Sequence, residues 1–184
     1  GKRILLAIDD FDVFKGIELK LQAFQTLMKE HPDLTEKIVL LQICNPARAK
    51  NDDVTNLRAE VKRLIQEINA HANTEVVIFR EQAIPLQERV ALYSIADVSL
   101  VTVTRDGMNL APYEYVTCRQ GPEDEIKATR DGYALPRQSS LIVSEFTGVS
   151  PSLSGAFRVN PWDVDDVADV VYKALSLSEK EAEM

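Results

Sequence analysis

Hydrophobic positions along the chain follow two alternating patterns. Short runs of consecutive apolar, β-branched residues give way to longer stretches in which apolar residues recur every three or four positions. The runs read as buried strands and the stretches as amphipathic helices. Ile4 to Ile8 is the first strand. A helix follows over Ile17 to about Glu30, with Ile17, Leu21, Phe24 and Met28 on one face. His31-Pro32-Asp33 stops it, because proline cannot continue a helix. Lys37 to Cys44 is a second strand. The helix from about Asp53 to Ala70 places Val54, Leu57, Val61, Leu64, Ile65 and Ile68 on one face. Glu75 to Phe79 is a short strand and Leu86 to about Ile95 a helix. Asp97 to Thr104 is a buried strand, followed by a charged turn and a helix from Asn109 to about Arg119. Gly121 to Ser139 is polar and reads as an inserted, mobile loop. Ser140 to Ser144 is a strand, Ser150 to Gly155 a turn or short helix, and Phe157 to Val159 a last edge strand. Asp163 is placed to cap a final helix faced by Val164, Val167, Ala168, Val171 and Leu175. Glu179 to Met184 reads as a frayed tail. Alternating strands and helices predict an α/β fold with a mostly parallel sheet.

Composition narrows the function more than the fold. With 184 residues, one domain is expected. A net charge of −8 argues against non-specific binding to nucleic acid or anionic membrane, which needs clustered Lys and Arg. No apolar run approaches the ~18 residues that cross a bilayer. Ile4 to Ile8 is too short for a signal peptide. Cys44 and Cys118 have neither disulfide-framework nor zinc-site spacing. The expectation is a reduced, cytoplasmic protein.

Four loops follow strand ends and should open on one face, where α/β sheets bind ligands. The richest is Arg105-Asp106-Gly107-Met108-Asn109-Leu110. A helix start offers backbone N–H groups and positive dipole to an anion. Gly107 lets the backbone approach closely. Asp106 and Glu114 are acceptors suited to sugar hydroxyls. The same residues equally fit a strand–helix turn with an Asp cap and no ligand. In the first loop, Asp9 to Gly16, Lys15 immediately precedes a helix and could meet phosphate, or stand solvated there. In the second, Arg48 could bind a carboxylate or phosphate, or be an ordinary surface residue. The fourth is Ser144 to Gly148, with Glu145 as a capping or hydroxyl-binding acceptor. Asp9, Asp10 and Asp12 could suggest Mg²⁺, but the loop lacks a full ligand set. His31 and His71 fall at helix ends away from that face, so no Ser/His/Asp or Cys/His set assembles.

These motifs resemble the carboxyl-terminal, nucleotide-sugar-binding half of the trehalose-6-phosphate synthase family, over essentially residues 1–184. The matching stretches are AIDDFDVFKG (7–16), KIVLLQICNPAR (37–48), ALYSIADVSLVTVTRDGMNL (91–110), YEY (113–115), LIVSEFTG (141–148) and SLSGAFRVNPW (152–162). The resemblance implies a GT-B fold, two Rossmann-like domains with the active site between them. This chain would be the carboxyl-terminal one, with helices on both faces of its sheet. It implies transfer of glucose from UDP-glucose to glucose 6-phosphate, with retained anomeric configuration and no metal or other cofactor. Lys15 would contact the donor diphosphate and Asp106 the hydroxyls of the transferred glucose. Backbone groups around Gly107, Met108, Asn109 and Leu110 would bind phosphate and sugar. Glu114 would take the ribose hydroxyls, main-chain groups near Ile84 the uracil, and Arg48 the acceptor phosphate. The amino-terminal domain that closes over the sugar would lie outside this chain, so the piece alone should not turn over.

One position departs from the family pattern. Asp10 stands where active members carry Arg. Two unit charges ~6 Å apart at an effective ε of ~20 interact by about 3 kcal/mol, roughly two decades in affinity. Solvent exposure shrinks this. Asp10 could also turn away or pair with Lys15. The stretch from Asp9 to Gly16, Pro112-Tyr113-Glu114-Tyr115 and the long loop before Ser139 resemble the plant-type class II subgroup. Its members commonly carry a phosphatase-like domain downstream, and many are regulatory rather than active. The alternative implied is a catalytically weak or inactive regulatory or scaffold domain that keeps a sugar-nucleotide or sugar-phosphate site.

Overall fold

The computed structural model describes residues 2–119 and 139–177. Among the described residues, six strands form one parallel sheet: β1 (Arg3–Asp10), β2 (Ile38–Asn45), β3 (Val77–Glu81), β4 (Val98–Val101), β5 (Ser140–Ser144) and β6 (Phe157–Val159). Five helices connect or follow them: α1 (Ile17–Glu30), α2 (Asp52–Ala72), α3 (Leu86–Ile95), α4 (Ala111–Arg119) and α5 (Val164–Ser176). The α/β Rossmann-like reading holds. The sequence-predicted loop over Gly121 to Ser139 (Ser139 excepted) and the tail from Glu179 lie outside the described residues.

The spatial order β3-β2-β1-β4-β5-β6 decides where a ligand can enter. The chain builds outward from β1 in one direction, then returns to β4 and builds outward in the other. The loops after β1 and β4 therefore part at the switch point and leave a crevice beyond the strands' carboxyl ends. Helices cover both faces. Leu5 and Ala7 of β1 face α1, α2 and α5, whereas Leu6 faces α3 and α4. Burial on both sides explains why β1, β4 and β5 read as near-continuous apolar runs.

Three boundaries shift for identifiable reasons. The predicted strand 97–104 ends at Val101, because the following loop turns to bond the β1 loop: the Thr104 N–H donates to the Phe14 carbonyl at 2.9 Å. Helix α4 starts at Ala111, not Asn109, because the Asn109 Oδ1 accepts the Ala111 N–H at 3.0 Å and acts as a cap. Strand β3 starts two residues late. The Asn69 Oδ1 of α2 takes the N–H groups of Val76 and Val77, at 3.0 and 2.9 Å. By contrast α1, α3, β5 and β6 run over the residues their periodicity predicts. Asp163 caps α5, accepting the Asp166 N–H.

The α3–α4 face encloses two tyrosines, Tyr93 and Tyr115, whose rings meet edge to face at 5.9 Å. The Tyr115 hydroxyl donates to the Ala96 carbonyl at 3.1 Å. Desolvation pushes the Tyr115 phenol up to about 12, and burial raises Tyr93 too. A raised folded-state value keeps its stability contribution below the unfolded pKa and loses it as pH climbs to the folded one. For Tyr115 that window is roughly pH 10–12. We expect Tyr115→Phe to cost about 1 kcal/mol at neutral pH, from the lost hydrogen bond. It should also lessen the alkaline loss, by up to about 1.4 kcal/mol per pH unit within that window. Urea unfolding of both proteins at pH 8 and pH 11 checks this; parallel losses would contradict it.

Candidate functional site

The crevice is built by three loops bonded to one another. The first runs from Asp9 through a 3₁₀ turn (Val13–Lys15) to Gly16. Asp12 caps the turn, its Oδ1 accepting the Phe14 N–H at 2.9 Å. Gly16 is left-handed, with φ +63°, and lies so close to the β4 loop that a Cβ would stand 2.4 Å from the Thr102 carbonyl oxygen. Only glycine satisfies both demands. The second loop, after β4, gives both the N–H and the Oγ1 of Thr104 to the Phe14 carbonyl. The third, after β5, gives the Gly148 N–H to the Gly107 carbonyl at 2.9 Å and pairs Thr147 with Asp106 in an isolated bridge.

This bonding places Lys15 against Asp106 across the switch point. The Lys15 Nζ donates to the Asp106 Oδ2 at 2.7 Å, and the two side chains are 20% and 22% exposed. The same Oδ2 accepts from the Asn109 Nδ2 at 3.0 Å, and Asn109 in turn caps α4. A cation, a carboxylate and a helix start are thus joined in one chain of hydrogen bonds. Gly107 borders it without being left-handed, and a Cβ there would meet nothing within 4 Å. The fold itself does not require glycine at that position. Apolar side chains stand exposed on these strand-end loops: Phe14, Met108 (71% exposed), Leu110 and Phe146.

Glu114 lies one turn into α4. Its Oε2 is 3.3 Å from the Arg89 Nε of α3, an ion pair whose angle falls short of a hydrogen bond. Arg89 carries no motif, so only the packing of α3 on α4 reveals it. Beside the pair is an open groove of about 350 Å³, lined by Leu86, Val90, Tyr93, Leu110, Tyr113 and Cys118. Burial pushes the Cys118 thiol up, which keeps it neutral. Ile84, in the turn between β3 and α3, packs on the same helical face.

The acids of the first loop diverge. Asp9 points into the core, Asp12 caps the turn, and Asp10 reaches sideways to the β2 loop. The Asp10 Oδ1 accepts from the Asn45 Nδ2 at 2.9 Å, and its Oδ2 lies 3.8 Å from the Arg48 Nη2. The alternative that Asp10 pairs with Lys15 is therefore corrected: Lys15 is taken by Asp106, and Asp10 by Asn45 and Arg48. The Arg48 side chain is 91% exposed, so this contact is loosely held. Glu145 is exposed on the β5 loop, where its N–H donates to the Val159 carbonyl. His31 ends α1, stacked at 3.8 Å on Tyr172 of α5, and His71 sits in the last turn of α2.

Besides Arg89, two more candidates are not singled out by the sequence. Lys20 and Gln42 are buried and bond each other and Asp9. The signal was present: Lys20 falls on the apolar face of α1, and Gln42 interrupts an apolar strand.

A parallel α/β sheet with a lysine–aspartate pair at its switch point, beside a helix start, defines a Rossmann-like domain suited to an anionic ligand with hydroxyl groups. The chain belongs to glycosyltransferase family 20, whose model matches residues 1–184. It is 46% identical over 188 residues to a probable α,α-trehalose-phosphate synthase [UDP-forming] 10 of Arabidopsis thaliana, covering all of this chain and 22% of that protein. A solved α,α-trehalose-phosphate synthase (UDP-forming) from Burkholderia xenovorans, in complex with glucose-6-phosphate, superimposes with a TM-score of 0.85 at 26% identity. That match covers 99% of this chain and 37% of the other. The N-terminal domain of a Candida albicans trehalose-6-phosphate phosphatase superimposes with a TM-score of 0.84 at 32% identity, over 99% and 36%. The chain thus spans about a fifth to two-fifths of these relatives' lengths. Among the described residues, no helix is long and apolar enough to cross a membrane.

Proposed function

We propose that this chain is the UDP-glucose-binding half of a UDP-forming α,α-trehalose-phosphate synthase, in which glucose passes to glucose 6-phosphate with retention. The observation that carries the reading is the Lys15–Asp106 pair at the switch point, built from two loops that the sheet order brings together. Lys15 meets the donor diphosphate and Asp106 the glucose hydroxyls. Donor binding then replaces their mutual contact with contacts to one molecule. As the bond from the anomeric carbon to the phosphate oxygen breaks, charge grows on departing UDP. Lys15 and the backbone from Gly107 to Leu110 are arranged to neutralise it. Glu114 holds the ribose, released in part from Arg89, and main-chain groups near Ile84 read the uracil. Arg48 reaches the acceptor phosphate. No metal is required by these roles. The exposed Phe14, Met108, Leu110 and Phe146 offer an apolar surface that the second domain of a two-domain cleft would cover.

One observation favours a second reading, a regulatory domain that retains the nucleotide site. Asp10 adds negative charge beside the expected diphosphate, and its second oxygen lies 3.8 Å from Arg48. A related solved domain is the N-terminal part of a phosphatase.

Calorimetric titration with UDP tests the proposal. The chain should bind UDP, with affinity about tenfold weaker in Glu114→Ala, which loses a charged hydrogen-bond partner. Asp10→Arg should tighten binding about tenfold, less than the unscreened two decades because Asp10 is part-exposed. No binding to the chain or to a longer protein containing it would overturn the donor reading. Product formation by that longer protein before any Asp10 change favours the synthase; activity appearing only with Asp10→Arg favours the regulatory reading.

A further inference from the structure

We propose that Lys20 is a positioning residue for the donor crevice: through its buried pair with Asp9, bridged by Gln42, it sets the loop that presents Lys15 to Asp106. The inference rests on the donor reading above. The Lys20 Nζ donates to the Asp9 Oδ2 at 2.6 Å, with side chains 1% and 2% exposed. Gln42, from β2, closes a triangle. Its Nε2 donates to the same Asp9 oxygen at 2.9 Å, and its Oε1 accepts from Lys20 at 3.1 Å. Each member orients the other two.

The placement of this triangle matters more than its energy. Asp9 stands at the end of β1, where the loop begins, and Lys20 in the first turns of α1, where the loop has ended. The pair closes the base of the segment 10–16, which carries Lys15 near its end. The loop's flanks are held by other bonds, from the Phe11 N–H to Asn45 and from Thr104 to Phe14. At the base, the Asp9–Lys20–Gln42 triangle supplies the side-chain tie. Burying two charges gains little over packing apolar groups of the same size. Lys20 sits among Ile17, Leu21 and Phe24, where an apolar side chain would serve the core. Directional bonds specify one arrangement where apolar contact would allow several. The neighbouring Cys44 thiol, which accepts from Gln42, is pushed up by burial and by the Asp9 charge. It stays neutral and leaves the pairing to Asp9 and Lys20. A shift of about 1 Å at the loop would move the Lys15 ammonium away from the place its 2.7 Å bond to Asp106 marks, and misplacements of that size can cost up to about a hundredfold in a catalysed rate.

The test compares wild type, the uncharged pair Asp9→Asn/Lys20→Met, and the conservative Lys20→Arg, by amide hydrogen exchange and UDP titration. In the double variant we expect the amides of Phe11, Phe14 and Lys15 to exchange about tenfold faster, those of β4 and β5 at their wild-type rate, and UDP affinity to fall about tenfold. Lys20→Arg should return both readouts to within about threefold of wild type. Unchanged loop exchange and affinity in the double variant would overturn the proposal. So would faster exchange throughout the sheet that Lys20→Arg does not spare, since that marks a purely structural role. If the double variant does not fold, Gln42→Met, which keeps the ion pair and removes its bridge, must show the same selective rise in loop exchange or the proposal fails. If neither the wild-type chain nor a longer protein containing it binds UDP, the donor reading is overturned, and loop exchange then decides the positioning role alone.

Discussion

Gly16→Ala is expected to lower the unfolding free energy by about 2–5 kcal/mol and to remove measurable UDP binding. Two costs add. A Cβ in the left-handed region costs about 1–2 kcal/mol, and forcing an atom into filled space costs about 1–3 kcal/mol more. The filled space is backbone, the Thr102 carbonyl 2.4 Å from the new atom, which cannot rotate aside as a side-chain tip would. Relief requires the β1 and β4 loops to separate, and Lys15 is the residue before Gly16. Gly107→Ala is the matched control. Its added methyl meets no protein atom within 4 Å, so urea unfolding should shift by no more than about 0.5 kcal/mol. Under the donor reading, that methyl points toward ligand, and UDP binding should weaken while stability holds. Equal stabilities for Gly16→Ala and wild type would mean that the two loops do not meet as the structure has them.

Lys15→Ala is expected to weaken UDP binding about 10–150-fold, with little change in stability. A hydrogen bond to a charged group contributes about 1.5–3 kcal/mol, and each 1.4 kcal/mol is about tenfold in affinity. Removing the lysine also leaves Asp106 uncompensated beside the incoming phosphate, which pushes the loss toward the upper figure. The Lys15–Asp106 pair is about one-fifth exposed, so its own share of fold stability is small, about 1 kcal/mol or less. Titration at two salt concentrations sharpens the reading. Wild-type affinity should fall with salt, and the variant's should fall less. Unchanged affinity in Lys15→Ala would place the phosphate elsewhere in the crevice. Taken with Asp10→Arg, the two substitutions measure the loop's net charge effect in opposite directions.

Much of the architecture is legible in the sequence. Leu86 to about Ile95 and Ser140 to Ser144 match the observed elements, because the first is periodic and the second has an apolar centre between clear stops. Boundaries failed where a side chain from another element substitutes for a backbone partner. Asn69 delays β3 and Asn109 delays α4, and a local pattern carries no mark of either bond. The sequence points to candidates where a loop follows a strand, Lys15, Arg48, Asp106 and Glu145; of these the structure brings Lys15 and Asp106 into contact, while Arg48 lies exposed beside Asp10 and Glu145 stands exposed on the β5 loop. Arg89 was missed because it lies inside a helix and acquires its meaning only from the facing helix.

By itself, the sequence determined the alternation of strands and helices and the common face on which four loops open. It also determined the family, through contiguous motifs. These properties depend on residues close together in the chain, where hydrophobic periodicity and turn chemistry act. Only the tertiary structure decided which charges meet. Lys15 bonds Asp106 rather than Asp10, because the β1-β4 adjacency brings their loops together while Asp10 faces β2. Lys20, polar on an otherwise apolar helical face, is buried because Asp9 and Gln42 await it there. An ion pair's partner is set by distance in space, and distance in space is set by strand order, which no local stretch of sequence contains.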